Sequence, residues 1–279
     1  MKKLLFILFC SISFFTNAQS IDELITQTEK NLSIYEQISP WKDDYLVSYF
    51  DLSKEELIDE EGKEIEENGI IDQFLVQHIY QKRILKNIDE IVNHKDFPGK
   101  GSDLFSASPD NKLFNFVMDE NTGGTYRSRL SVIYYKENGT IVFREERGKE
   151  EEEDSSNYFN PDGYSIIDTI QTQGQVKYFL QGNVFGCTTC SDDYIKLIHF
   201  ENSIPVIDFE YTLYTRMGSV KQFDYNSKDK TITIEYNEDD LNGEYNYDKD
   251  CGDYHFEIYK FNGKTFKSIE KRVEKCAKE

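Results

Sequence analysis

The residues that could do chemistry are few, and most lie late in the chain. Cys187 and Cys190 form a Cys-x-x-Cys pair, and Cys251 and Cys276 follow at wider spacing. Thiols so arranged can ligate zinc, exchange disulfides or be crosslinked. Structural zinc sites use two close pairs, whereas Cys251 and Cys276 stand 25 residues apart. A thioredoxin-like site starts a helix, and here the flanking residues read as strands. The four cysteines therefore read as structural disulfides, with three possible connectivities. One pairing ties Cys251 to the Cys187/Cys190 motif and Cys276 to its remaining thiol; another is a local Cys187–Cys190 bridge.

A second candidate is the acid-rich stretch from Glu238 to Asp253. Asn246, Asp248 and Asp250 occupy positions 1, 3 and 5 of a calcium loop, with Glu257 at position 12. The glycine needed at position 6 is replaced by Cys251, so the pattern competes with a plain solvated acidic loop. No cofactor is expected from the sequence, with calcium at this loop as the one left open. The stretch Thr122-Gly123-Gly124-Thr125 is a candidate binding loop. His78 falls on the apolar stripe of a helical segment, where a histidine reads as a core residue. No HExxH or GxSxG motif occurs, and Gly263-Lys264-Thr265 lacks the upstream glycine of a phosphate loop. Dispersed acids leave an Asp/Glu pair for hydrolysis open, and Trp41, the one tryptophan, does not by itself make a sugar platform.

These residues must be positioned by two kinds of element. Residues 19–98 carry helical periodicity. Ser20 with Glu23 has capping-box spacing, and Ile21, Leu24, Ile25, Thr28, Leu32 and Tyr35 recur on one face. A second helix is expected from about Ile70 to Val92, with Ile71, Phe74, Leu75, His78, Ile79, Leu85, Ile88 and Val92 inward. Between them the segment from Asp51 to Asn68 is acid-dense, and Glu60-Glu61-Gly62 within it reads as a solvated turn.

Residues 99–279 change to a period of two. A strand–turn–strand–loop–strand–turn–strand pattern occurs three times, at about 103–146, 164–210 and 219–271. Asn138-Gly139, Asn202-Ser203 and Asn262-Gly263 mark the last turn of each unit, with asparagines 64 and 60 residues apart. Tight hairpins favour such pairs because glycine, and to a degree asparagine, accept positive φ. The expected fold is mainly β, with three four-stranded antiparallel blade-like units after a short helical region. An open or incomplete propeller suits this best, with a sandwich or a trefoil-like barrel as alternatives. The longer loops, near Thr122–Thr125, Phe185–Asp192 and Leu241–Asp253, are expected on one side.

The amino terminus reads as a signal peptide. Lys2 and Lys3 precede an apolar run from Leu4 to Phe15, and small residues place a cut near Ala18. The run is too short to span a bilayer, so no transmembrane anchor is expected. Cys10 would leave with this peptide. Export to the periplasm or beyond makes disulfides the natural state of the other four cysteines. Losing two lysines moves the formal charge from −20 to −22. So acidic a chain is a poor partner for nucleic acid and suits a basic one.

Ser108-Pro109-Asp110-Asn111-Lys112-Leu113-Phe114, then Thr122-Gly123-Gly124-Thr125 and a tyrosine-rich strand, resembles a group of uncharacterised exported β-rich proteins of Gram-negative bacteria. Tyr259-Lys260-Phe261-Asn262-Gly263-Lys264 matches the strand that ends those chains. The resemblance implies export and β structure, and no activity. The expected function is a non-enzymatic exported binding or interaction protein. The alternatives are a periplasmic hydrolase with an Asp/Glu pair and a calcium-stabilised structural protein.

Overall fold

The computed structural model describes residues 19–59, 61–124, 128–147, 163–187, 190–216, 220–237 and 253–275. Helix α1 (Ile21–Gln37) opens with the capping box: the Ser20 hydroxyl accepts from the Glu23 amide, and the Glu23 carboxylate accepts from the Ser20 amide. Leu24, Thr28 and Tyr35 are buried along it, at the three- and four-residue steps of a single face. Helix α2 (Gln73–Asn93) is capped by Asp72, whose carboxylate accepts from the Phe74 and Leu75 amides.

The inward face of α2 differs from the expected one. Val76, Ile79, Tyr80, Ile84, Ile88, Ile91 and Val92 are buried, with Gln73 and Gln77 among them. Phe74 is 70% exposed and His78 is also exposed, so His78 is not a core residue. The helix begins at Gln73 because residues 70–72 are extended. Strands β1 (Asp44–Leu46), β2 (Glu66–Glu67) and β3 (Ile70–Asp72) form a small antiparallel sheet in the order β1-β3-β2. Within the acid-dense segment Gly62 lies in a turn, its amide donating to the Asp59 carbonyl at 3.0 Å, while Glu66 and Glu67 pair in the sheet and Arg83 of α2 meets Glu56 at 2.5 Å.

The remaining strands form three four-stranded antiparallel sheets. Sheet I is β4 (Ser106–Ala107), β5 (Leu113–Asp119), β6 (Arg129–Glu137) and β7 (Thr140–Glu146). Sheet II is β8 (Ile166–Gln171), β9 (Val176–Cys187), β10 (Cys190–Glu201) and β11 (Ile204–Arg216). Sheet III is β12 (Val220–Asn226), β13 (Thr231–Asn237), β14 (Tyr254–Phe261) and β15 (Phe266–Glu274). Each sheet is a meander in chain order, like a propeller blade, and no barrel closes.

Side chains on a strand alternate between its faces, and this alternation builds a stack. Phe114, Phe116, Met118, Val132 and Tyr134 pack with the helices, while Leu113, Ile133 and Tyr135 from the same strands pack on sheet II. Tyr178 and Leu180 complete that second core, and Phe179 turns to the third with Ile195, Leu197, Ile232 and Ile234 of sheets II and III. The order is thus helices, sheet I, sheet II, sheet III. A fully buried phenylalanine such as Phe114 or Phe179 contributes about 2–3 kcal/mol.

Several polar groups at the seams are matched. The Gln181 side chain is matched in part: its amide donates to the Phe223 carbonyl, from sheet II to sheet III, and its Oε1 is buried without a partner among the described residues. Between sheets I and II the Asn115 amide donates to Ser131 Oγ at 2.9 Å and to the Val132 carbonyl at 3.0 Å, and its oxygen accepts from the Tyr164 amide. Between sheets II and III Lys177 meets Asp208 at 2.6 Å, and His199 lies between Asp208 and Glu201 at 2.7 and 2.9 Å. The Thr265 hydroxyl donates to the Asp208 carbonyl, joining sheet III to this network.

Two turn expectations need adjusting. Asn138-Gly139 and Asn202-Ser203 both have positive φ, the signature of a tight primed turn. At Asn262-Gly263 only the glycine does, and the Asn262 side chain instead accepts from the Lys264 and Thr265 amides. Phe185–Asp192 is no long loop. Strands β9 and β10 run to Cys187 and Cys190, which face each other in register, so Cys-x-x-Cys is the tip of a hairpin.

Candidate functional site

One concavity among the described residues has the size and mixture of a ligand site. It has a volume of about 800 Å³ and lies where the end of α1 meets sheet I. Its apolar surface comes from Leu32, Pro40, Trp41, Leu104, Phe116 and Met118, and its carboxylates are Glu36, Asp103 and Asp119. Thr122, Gly123 and Gly124 form part of the wall.

The wall is held by an unusual helix cap. Helix α1 ends without a glycine, so its last carbonyls need donors from elsewhere. Asn121 supplies them: its side-chain amide donates to the Ile38 carbonyl at 2.5 Å and the Tyr35 carbonyl at 3.4 Å. To reach them Asn121 adopts a φ of 52°, one of the few left-handed positions asparagine tolerates. Gln77 of α2 donates to the Asn121 carbonyl at 3.2 Å, and the Asp119 carboxylate accepts from the Asn121 amide at 2.7 Å. The Tyr35 hydroxyl donates to the Glu120 carbonyl at 2.6 Å and accepts from Gln81. Burial pushes the Tyr35 phenol well above its usual range, which keeps it a donor.

Gly123 sits where the loop crosses Pro40 and Trp41. Its φ is +71°, and a Cβ there would lie 2.7 Å from the Pro40 ring and 3.4 Å from Trp41 Cε2. Glycine is required twice over, by backbone conformation and by space. The turn carrying Pro40 and Trp41 is braced from the other side, where the Tyr45 hydroxyl accepts from the Ser39 amide at 2.6 Å. The result is a tryptophan 80% exposed, over a rigid support, at a concave surface.

Glu36, Asp103 and Asp119 are all exposed side chains, and no lysine, arginine or histidine is among the described lining residues. The cleft thus presents an aromatic face beside the carboxylates of Glu36, Asp103 and Asp119.

The other candidates fall as follows. Thr122, Gly123 and Gly124 line the cleft, and Thr125 lies outside the described residues. Cys190 is buried and disulfide-bonded; the side chain of Cys187, together with Cys251 and Cys276, lies outside the described residues. Asn246, Asp248 and Asp250 are outside them too. Glu257 is buried in sheet III and accepts from the Tyr259 hydroxyl at 2.5 Å and Lys271 at 2.7 Å. Among the described residues no group of three or more His, Cys, Asp or Glu could hold a metal ion.

Asp192 and Asp193 are raised above the usual carboxylate range by burial. They are consecutive on β10 and so project to opposite faces, which keeps them from acting as a pair. Glu36, Asp103, Asp119 and Asn121 were not singled out from sequence. The positive φ of Asn121 and Gly123 serves partners some 80 residues away, so no local window of the sequence marks this loop. Among the described residues no helix is long and apolar enough to cross a membrane. Comparison of the chain with protein-family models, curated proteins and solved structures finds no match.

Proposed function

We propose that this protein is an exported, non-enzymatic binding module whose ligand occupies the cleft between α1 and sheet I. The observation that carries this is Trp41: a large indole left 80% exposed over a glycine that no other residue could replace without strain. Tryptophan is among the residue types most enriched at positions that carry binding energy, and this one stands at a concave surface. Export is supported by the order of charged, apolar and small residues up to Ala18. An oxidising compartment also suits the disulfide at Cys190. The facing positions of Cys187 and Cys190 support a local bridge between them.

Trp41 is the single tryptophan, so its fluorescence reports on the cleft alone. A panel of oligosaccharides, amino acids and short peptides should contain ligands that shift this emission. Their binding should be lost in Thr122→Phe, which adds bulk at the wall without altering the circular dichroism. A panel that leaves the emission unmoved, or ligands indifferent to Thr122→Phe, would show that the cleft is not the site.

A further inference from the structure

We propose that the cleft binds a neutral oligosaccharide, with one pyranose ring stacked on the Trp41 indole; this rests on the cleft being the binding site. A pyranose carries C–H groups on its two faces and hydroxyls around its rim. It therefore needs a flat apolar platform bordered by polar groups, and the cleft is built in that way.

The platform comes from the turn at Pro40 and Trp41. Gly123 abuts the indole, since a Cβ on it would lie 3.4 Å from Trp41 Cε2, and the tryptophan is nonetheless 80% exposed. Most of the ring surface is thus open to a ligand while its position is supported. Leu32, Leu104 and Met118 continue the apolar lining beyond it. The negative face of the indole attracts weakly polarised C–H bonds, and covering it removes apolar surface from water.

The border comes from Glu36 of α1, from Asp103 and from Thr122 of the wall, all exposed and all lining the same cavity. An ionised carboxylate only accepts and a sugar hydroxyl donates, so each such pairing is a charge-assisted hydrogen bond. The Thr122 hydroxyl can donate or accept. Asp119 is engaged in holding the wall, where it accepts from the Asn121 amide at 2.7 Å.

Other ligand classes fit less well. An anion would meet Glu36 and Asp103 on a chain of formal charge −20. A wholly apolar ligand would strip water from those carboxylates without replacing its hydrogen bonds. A cationic peptide would meet Lys42, the residue next to Trp41, whose ammonium is already held 4.1 Å from the Tyr45 ring centroid beside this turn. Its gain at carboxylates as exposed as these would also be small. A volume of about 800 Å³ lies high in the range of small-molecule sites and suits a chain of rings better than a single one.

The test titrates the chain from residue 19 onward with neutral hexasaccharides of glucose, xylose, mannose and N-acetylglucosamine, and with penta-arginine. At least one hexasaccharide should shift the Trp41 emission, with an affinity by calorimetry that stays constant as salt rises, since the ligand carries no charge. Trp41→Ala should weaken that sugar about tenfold or more, and Trp41→Phe, which keeps a smaller ring, by less. Glu36→Ala and Asp103→Ala should each weaken it about two- to tenfold, whereas Glu67→Ala, outside the cleft, should leave it unchanged. Trp41→Ala that binds the sugar as the parent does would overturn the stacking seat. Penta-arginine that shifts Trp41 while no hexasaccharide does would overturn the saccharide and leave the cleft standing as a site. An emission unmoved by every hexasaccharide and by penta-arginine would also overturn the saccharide; if amino acids and short peptides leave it unmoved as well, the cleft itself falls.

Discussion

Replacing Gly123 by alanine tests the geometry of the cleft directly. Two costs can be separated. A residue with a Cβ at φ +71° sits in the left-handed region, at about 1 kcal/mol for alanine relative to glycine. The new Cβ also meets the Pro40 ring at 2.7 Å, well inside van der Waals contact, so Pro40 and Trp41 must be displaced. Overpacking of this kind costs about 1–3 kcal/mol. Gly139 provides the matched control, since its φ is +80° and nothing lies within 4 Å of its added Cβ. Gly139→Ala should carry the conformational cost alone. With about 2–4 °C lost per kcal/mol for a domain of this size, Gly139→Ala should lower the Tm by about 2–4 °C and Gly123→Ala by about 4–16 °C. Calorimetry gives both numbers, and Trp41 emission should change only in Gly123→Ala. Equal Tm losses in the two variants, or an unmoved Trp41, would refute the contact between the loop and the Pro40–Trp41 turn.

The seam between sheets II and III and the acids of β10 give two further expectations. Lys177 and Asp208 are 4% and 13% exposed at 2.6 Å, so Lys177→Met leaves the Asp208 carboxylate with the His199 imidazole as its one remaining side-chain partner among the described residues and should cost up to about 3–5 kcal/mol in urea unfolding. Lys177→Met with Asp208→Leu should recover most of that; a single-variant loss under about 1 kcal/mol would place the pair at an exposed site instead. Asp193 is held above its ordinary value of 3.8 by burial, so the folded state binds this proton more tightly than the unfolded chain. Its ionisation therefore destabilises the fold as pH rises from 3.8 through the raised value. Asp193→Asn should be more stable than the parent at pH 7, with the difference closing below pH 3.8; a constant difference between pH 3 and 7 would remove the burial argument.

Much of the architecture was readable because it rests on local rules. Ser20 and Glu23 announce the start of α1, and Leu113 through Met118 form an apolar run broken only by Asn115, as a strand buried on both faces requires. The face of α2 was misread because Gln73 and Gln77 are buried while Phe74 is not, and hydropathy alone ranks them the other way. Gln77 goes inward for a hydrogen bond to Asn121, a partner 44 residues away that no local window contains. The cleft was illegible for the same reason. Asn121 caps a helix that ended more than 80 residues earlier, and Gly123 is needed only because Pro40 has folded against it. Trp41 taken alone carries no message. Its meaning comes from the loop beneath it.

The serial order of helices, sheet I, sheet II and sheet III has a consequence for how the molecule comes apart. Each layer shares a core only with its immediate neighbours, so its stability behaves as a chain of nearest-neighbour couplings. Interior layers are held from two sides. Sheet III is held from one, through Phe223, Ile232, Ile234 and Tyr236, and is the layer set to fray first. The Trp41 cleft belongs to the opposite end, where two helices and sheet I share the largest core. Partial opening can therefore begin two layers away and leave the cleft intact.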